Sequence, residues 1–202
     1  MILTRIVLEG APASGKTAAF KRMECAAGRD DGTKVVFLPE VATCFFSGMT
    51  EDVAGLDCAL VRQFYIMQAQ RMMEQTAIRA MQNECERLVL ICDRGTPDAA
   101  VYLSEGLLKM LGCRSDDFVH LYDLCLYMEG ARENFTGADD TFRVEGGYDE
   151  VMELDQRARA VWKKASDHFV EVPQCPTVEE KVCRVIEEIN TFAGDEIVRF
   201  KE

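Results

Sequence analysis

Gly10-Ala11-Pro12-Ala13-Ser14-Gly15-Lys16-Thr17 decides the fold. It fits the pattern Gly, four residues, Gly-Lys-Thr of a loop that cradles phosphate. Ile2 to Leu8, just before it, is rich in β-branched and apolar residues, as a buried strand is. Lys16 to Cys25, just after it, is free of Gly and Pro and predicts a helix. A strand, a tight loop and a helix start turn a run of backbone N–H groups onto one anion, and the helix N-terminus adds its partial positive charge. Gly10, Ala13, Ser14, Gly15, Lys16 and Thr17 are therefore the expected nucleotide-binding residues. Lys16 would reach the β- and γ-phosphates of ATP or GTP, and the Thr17 hydroxyl would ligate the bridging Mg2+.

Outward from this loop, strand-like and helix-like segments alternate. Lys34–Leu38 predicts a second strand, ended by Pro39, and Glu40–Gly55 reads as loop. A long helix is expected over about Leu56–Glu86 from apolar residues at helical spacing, such as Leu60, Phe64 and Met67. Leu88–Asp93 is a short apolar run ending in a charge, as a buried central strand would be. Asp98–Met110 predicts a helix, Ser115 a cap for a short helix, and Leu124–Met128 a fourth strand. The polar stretch Gly130–Gly147 is expected to be a lid. Tyr148–Ser166 predicts a helix, His168–Val172 a fifth strand, and Thr177 with Glu180 the capping box of a last helix to about Phe192. Glu196–Phe200 forms a final strand or arm. The alternation implies an α/β fold, one domain over residues 1–202, with a mainly parallel five-stranded sheet covered on both faces. Ligands then bind at the carboxyl ends of the strands.

Composition narrows the function classes. With 48% apolar residues the chain is globular, and no apolar run approaches the ~20 residues of a membrane span. The strand at Ile2 leaves no room for a signal peptide, which predicts a cytoplasmic protein. A net charge of −12 argues against a nucleic-acid partner, which would require a basic face. The nine Cys include no Cys-x-x-Cys pair, and His120 and His168 lie far apart, so neither a disulfide framework nor a zinc site is expected. Cys92, Cys125 and Cys183 sit in apolar runs and are expected to be small buried hydrophobes.

In a parallel sheet, Gly10, Glu40, Asp93 and Arg94 end neighbouring strands and face one crevice. Asp93 suits a Mg2+ ligand, and the Arg94 fork suits a phosphate or an anionic acceptor group. Glu40 could accept a proton from an attacking hydroxyl or grip a ribose. Arg132 and Arg143 flank the lid and could stabilise charge on the transferred phosphoryl group. Phe45 and Phe46 either stack on a base or anchor their loop. Gln63 and Gln70 are expected to face solvent, with an acceptor's polar edge as the alternative. Trp162 is expected to pack.

These residues carry a resemblance. Gly10–Thr17, Leu38-Pro39-Glu40-Val41-Ala42-Thr43, Cys92–Tyr102 with its Asp-Arg-Gly, and Phe142-Arg143-Val144-Glu145 followed by a helix bearing Trp162 are together similar to one family. It is the AAA-type ATP-binding family that includes the ribosylnicotinamide kinase domain of the bacterial NAD regulator NadR. More broadly, the chain resembles the nucleoside and nucleotide kinase branch of phosphate-loop NTPases, with a three-layer α/β/α fold. The resemblance implies that Lys16 and Thr17 bind phosphate and magnesium, and that Asp93 belongs to the metal or catalytic centre. It implies that Arg94 contacts phosphate, that Arg143 is the lid arginine, and that Glu40 lies near the acceptor hydroxyl. The lid departs from the pattern. Asp139 beside Asp140 makes a poor clamp for a phosphorylated acceptor and favours an uncharged one.

Two function classes follow. One is a small-molecule kinase passing the γ-phosphoryl group of a nucleoside triphosphate to a nucleoside-like hydroxyl, with Lys16, Glu40, Asp93, Arg94, Arg132 and Arg143 as its catalytic set. The other is a nucleotide-dependent switch or binding module with slow hydrolysis and a protein or lipid partner, in which Glu40–Gly55 reorders with nucleotide. No Asn-Lys-x-Asp motif is present, which argues against a Ras-like GTPase.

Overall fold

The computed structural model describes residues 1–11, 14–26, 32–46, 59–130 and 148–201. Among them, strands β1 (Ile2–Gly10), β3 (Thr33–Leu38), β4 (Arg87–Asp93), β5 (Tyr122–Met128) and β6 (Ser166–Val172) form one sheet in the order β3-β4-β1-β5-β6. Every neighbouring pair is parallel. The helices are α1 (Lys16–Arg22), α2 (Val41–Phe46), α3 (Ala59–Met81), α4 (Asp98–Tyr102), α5 (Glu105–Met110), α6 (Tyr148–Ala165) and α7 (Val178–Ala193).

Period-two alternation in the central strands produces the layers. Ile6 and Leu8 of β1 share one apolar core with Ala19 of α1 and with Val182, Val185 and Ile189 of α7. Val7, between them, points to the opposite face, where Leu90, Val101, Ala158 and Trp162 pack with Met73 and Ala77 of α3. The sheet is thus covered on both sides. Register places Leu8 opposite Asp93 and Gly10 opposite Met128, so β1, β4 and β5 end at one edge of the sheet.

Several local expectations are corrected. The helix predicted over Lys16–Cys25 stops at Arg22, and Met23–Cys25 is strand β2, antiparallel to β7 (Val198–Phe200). The C-terminal tail supplies the hydrogen-bonding partner that pulls these three residues out of the helix. The stretch after Glu40 opens with α2 rather than loop. Asp98–Met110 divides at Leu103, because the Ser104 hydroxyl accepts from Leu107 N–H and caps a new helix. Ser115 does not cap the short 3-10 turn Ser115–Phe118. Arg114 stands at that position, and its N–H donates to Asp117 Oδ2 at 2.7 Å. Thr177 does cap α7, accepting from Glu180 N–H at 3.1 Å. Cys92 and Cys125 are buried, but Cys183 is exposed, since it falls off the Val182–Val185–Ile186–Ile189 stripe that faces the sheet. The predicted lid, Gly130–Gly147, lies outside the described residues except for Gly130.

Candidate nucleotide site

The phosphate loop leaves β1 through a close backbone approach. Gly10 has φ 143°, and a Cβ there would sit 2.1 Å from the Met128 carbonyl oxygen, so only glycine fits. Lys16 opens α1 and is 7% exposed. Its ammonium donates to Gly10 O at 2.6 Å, Ala11 O at 2.9 Å and Ser14 Oγ at 3.1 Å. Burial, and then the Arg94 charge, lower its pKa to about 8. A phosphate group would reverse that shift by supplying negative charge to the ammonium. Ser14, Gly15, Lys16 and Thr17 line an open depression of about 490 Å3 together with Glu40, Asp93 and Arg94. The structure therefore brings the ends of β1, β3 and β4 to one place. Ala13 lies outside the described residues.

Thr17 Oγ1 donates to Asp93 Oδ2 at 3.5 Å. Two oxygens at that spacing can share one ion at the about 2.0–2.1 Å of magnesium–oxygen bonds, with phosphate and water completing the shell. Asp93 is 2% exposed, and its pKa is raised, first by burial and then by Glu40, with Lys16, Arg94 and Thr17 opposing. A bound cation would relieve that strain, so the donor set fits magnesium. Among the described residues, no group of three or more His, Cys, Asp or Glu is arranged to hold a metal.

Arg94 is the hub. It leaves β4 with φ 69°, a left-handed conformation that costs a non-glycine residue about 1–3 kcal/mol, and its N–H donates to Leu8 O at 3.1 Å. Its Nε donates to Glu40 Oε1 at 2.8 Å, and its Nη1 donates to Glu9 Oε1 at 3.1 Å and Asp98 Oδ2 at 3.2 Å. Burial opposes the guanidinium charge, but Glu9, Tyr102, Asp98 and Glu40 outweigh it and hold the pKa well above its ordinary value. The other Glu40 oxygen accepts from Thr43 Oγ1 at 2.5 Å, which fixes the carboxylate.

Two smaller cavities flank Arg94. One, of about 310 Å3, lies between α2 and α3 and is lined by Glu40, Gln63, Gln70, Thr96 and Asp98 above Val41, Ile66 and Met67. Gln70 does not face solvent. It is 3% exposed and donates to Glu74 Oε1 at 2.8 Å. The other, of about 290 Å3, is lined by Glu9, Gly10, Asp98, Tyr102, Tyr127 and Leu154. Arg132 and Arg143 lie outside the described residues, as do the side chains of Phe45 and Phe46.

Sequence reasoning missed Glu9 and Asp98. Glu9 is 1% exposed, and its Oε2 has no hydrogen-bond partner among the described residues. The available signal was a charge interrupting an apolar strand directly before the loop glycine. For Asp98 it was the spacing of four from Arg94, which places both on one side of the turn into α4. At the turn after β6, Lys181 donates to Glu129 O and to Gln174 Oε1, the latter at 3.0 Å, tying the segments that follow β5 and β6.

The sequence matches the family model described as the AAA domain over residues 5–181. No curated protein matches it. Among solved structures, it is similar to a deoxyadenosine kinase from M. mycoides with bound dATP, at TM-score 0.54 and 14% identity, over 93% of this chain and 100% of that one. It is also similar to a thymidylate kinase from Candida albicans, at TM-score 0.55 and 14% identity, over 98% of both chains. At that identity the likeness concerns the fold. Among the described residues, no helix is long and apolar enough to cross a membrane.

Proposed function

We propose that this chain, which belongs to the AAA domain family, is a kinase that transfers the γ-phosphoryl group of ATP or GTP to a hydroxyl of a small, nucleoside-like acceptor. The observation that carries this is the meeting of Lys16, Thr17, Glu40, Asp93 and Arg94 around one depression at the strand ends. A nucleotide switch needs the loop and the metal ligands. It has no use for a carboxylate fixed beside a cation at the place where an acceptor would enter.

Lys16 exchanges the carbonyls of Gly10 and Ala11 for the β- and γ-phosphate oxygens. Thr17 and Asp93 would hold Mg2+, which would supply charge to neutralise the phosphates. The acceptor occupies a cavity beside Arg94, and Glu40 orients its hydroxyl. As the acceptor oxygen bonds to the γ-phosphorus, the bond to the β–γ bridging oxygen breaks and the nucleoside diphosphate leaves. The hydroxyl proton passes to a Glu40 oxygen. Arg94, with Arg132 and Arg143 of the lid, stabilises the transferred charge. Ribosylnicotinamide is one acceptor of this class. Incubation with magnesium, ATP or GTP and a nucleoside panel tests the proposal. A phosphomonoester product supports a kinase, whereas slow phosphate release that no acceptor accelerates would point to a switch with a macromolecular partner.

A further inference from the structure

Trp162 is the chain's single tryptophan and is fully buried. Its indole N–H donates to Asp98 Oδ1 at 2.9 Å, a charged partner on another element. The second Asp98 oxygen accepts from Arg94 Nη1 at 3.2 Å. One carboxylate thus links the indole on α6 to the guanidinium at the phosphate site. The same ring guards the backbone beside Arg94. A Cβ on Gly95 would lie 2.8 Å from Trp162 Cη2 and 2.4 Å from Tyr122 Oη. The Trp162 and Tyr122 rings are 5.3 Å apart, and Tyr122 Oη accepts from Thr96 N–H at 3.3 Å. Gly95, Thr96 and Asp98, all following Arg94, each touch this aromatic pair.

We propose that Trp162 is a positioning residue for Arg94, acting through Asp98, so that helix α6 sets the aim of the guanidinium at the transferred phosphoryl group. The inference rests on the kinase reading. A plain packing tryptophan would need only a ring, whereas this role also needs the indole N–H. Without that donor a buried carboxylate oxygen loses its partner, and Asp98 is no longer fixed at the distance that holds Arg94. Small losses of aim at a reacting centre cost about 10- to 100-fold in rate.

The test uses Trp162→Phe, which keeps an aromatic ring, Asp98→Asn, which keeps an acceptor for the indole but removes the charge facing Arg94, and the double variant. ATP turnover with magnesium is followed with water and with a nucleoside panel as acceptors. Each single change should lower kcat about tenfold or more while KM for ATP stays within about twofold. The double variant should be no slower than the slower single one, since both cut the same link. In Asp98→Asn the single indole N–H resonance should shift. Unchanged kcat in Trp162→Phe, or losses that multiply in the double variant, would overturn the inference and leave the kinase reading intact. If Trp162→Phe fails to fold, kcat and the indole resonance of Asp98→Asn decide in its place. A wild-type chain that turns over no ATP with any acceptor would overturn both.

Discussion

Arg94 Nε donates to Glu40 Oε1 at 2.8 Å, so the cation that ends β4 and the carboxylate that follows β3 meet across the mouth of the phosphate loop. The pair orients Glu40 next to the space where an acceptor hydroxyl would enter. Glu40→Gln retains shape and an oxygen for Arg94 but cannot take a proton. Transfer to acceptor should fall by about 100-fold or more, while affinity for Mg·ATP changes little. Steady-state kinetics with calorimetric titration separates the two. An unchanged transfer rate would remove Glu40 from the catalytic set.

Lys16 donates three hydrogen bonds inside the loop. Its replacement by Ala removes the charged donor offered to the phosphates. Charge-assisted hydrogen bonds of this kind are worth about 1.5–3 kcal/mol each, so nucleotide affinity should drop about 10- to 100-fold. Wild-type affinity and turnover in Lys16→Ala would mean that nucleotide does not bind at this loop.

Glu9 makes stability depend on pH. Burial pushes its carboxyl from about 4.5 up to about 8, helped by Asp98 and opposed by Arg94, Lys16 and the Gly10 N–H. Between those values the folded chain holds a proton that the unfolded chain has released. This group's contribution to stability therefore falls as pH rises from about 5 to 8. Glu9→Gln cannot titrate. Its melting temperature relative to wild type should climb across that window in the nucleotide-free protein. A constant difference between the two curves would show that Glu9 does not titrate there.

Gly95 is fixed by packing. A methyl group would meet the rigid rings of Tyr122 and Trp162 at 2.4–2.8 Å. Gly95→Ala should cost about 1–3 kcal/mol, at about 2–4 °C of melting temperature per kcal/mol for a chain of this size. A melting temperature within 1 °C of wild type would contradict the tight seating of these rings.

The legible parts of this chain are those set by local chemistry. The start of α1 at Lys16, the apolar run Leu88–Asp93 and the cap at Thr177 depend on neighbouring residues, and the structure places them as expected. β2 was not legible, because Met23–Cys25 are extended only by pairing with β7, nearly the whole chain away. Glu40 and Arg94 could be placed at strand ends from order alone. That Glu9 and Asp98 also grip Arg94 could not be read, since it depends on the sheet order β4-β1 and on the turn into α4. Gln70 and Trp162 show the same limit. Helical spacing says which face a residue shares, and only the packed partner says whether that face meets solvent, Glu74 or Asp98.

Phosphorus NMR of the γ-phosphate tests the central claim most directly. The chain is incubated with magnesium and ATP or GTP, with and without a nucleoside panel that includes nicotinamide riboside. The account predicts a new phosphomonoester resonance in the presence of an acceptor, growing as nucleoside diphosphate forms. Slow release of inorganic phosphate alone, at one rate whatever the acceptor, would contradict it.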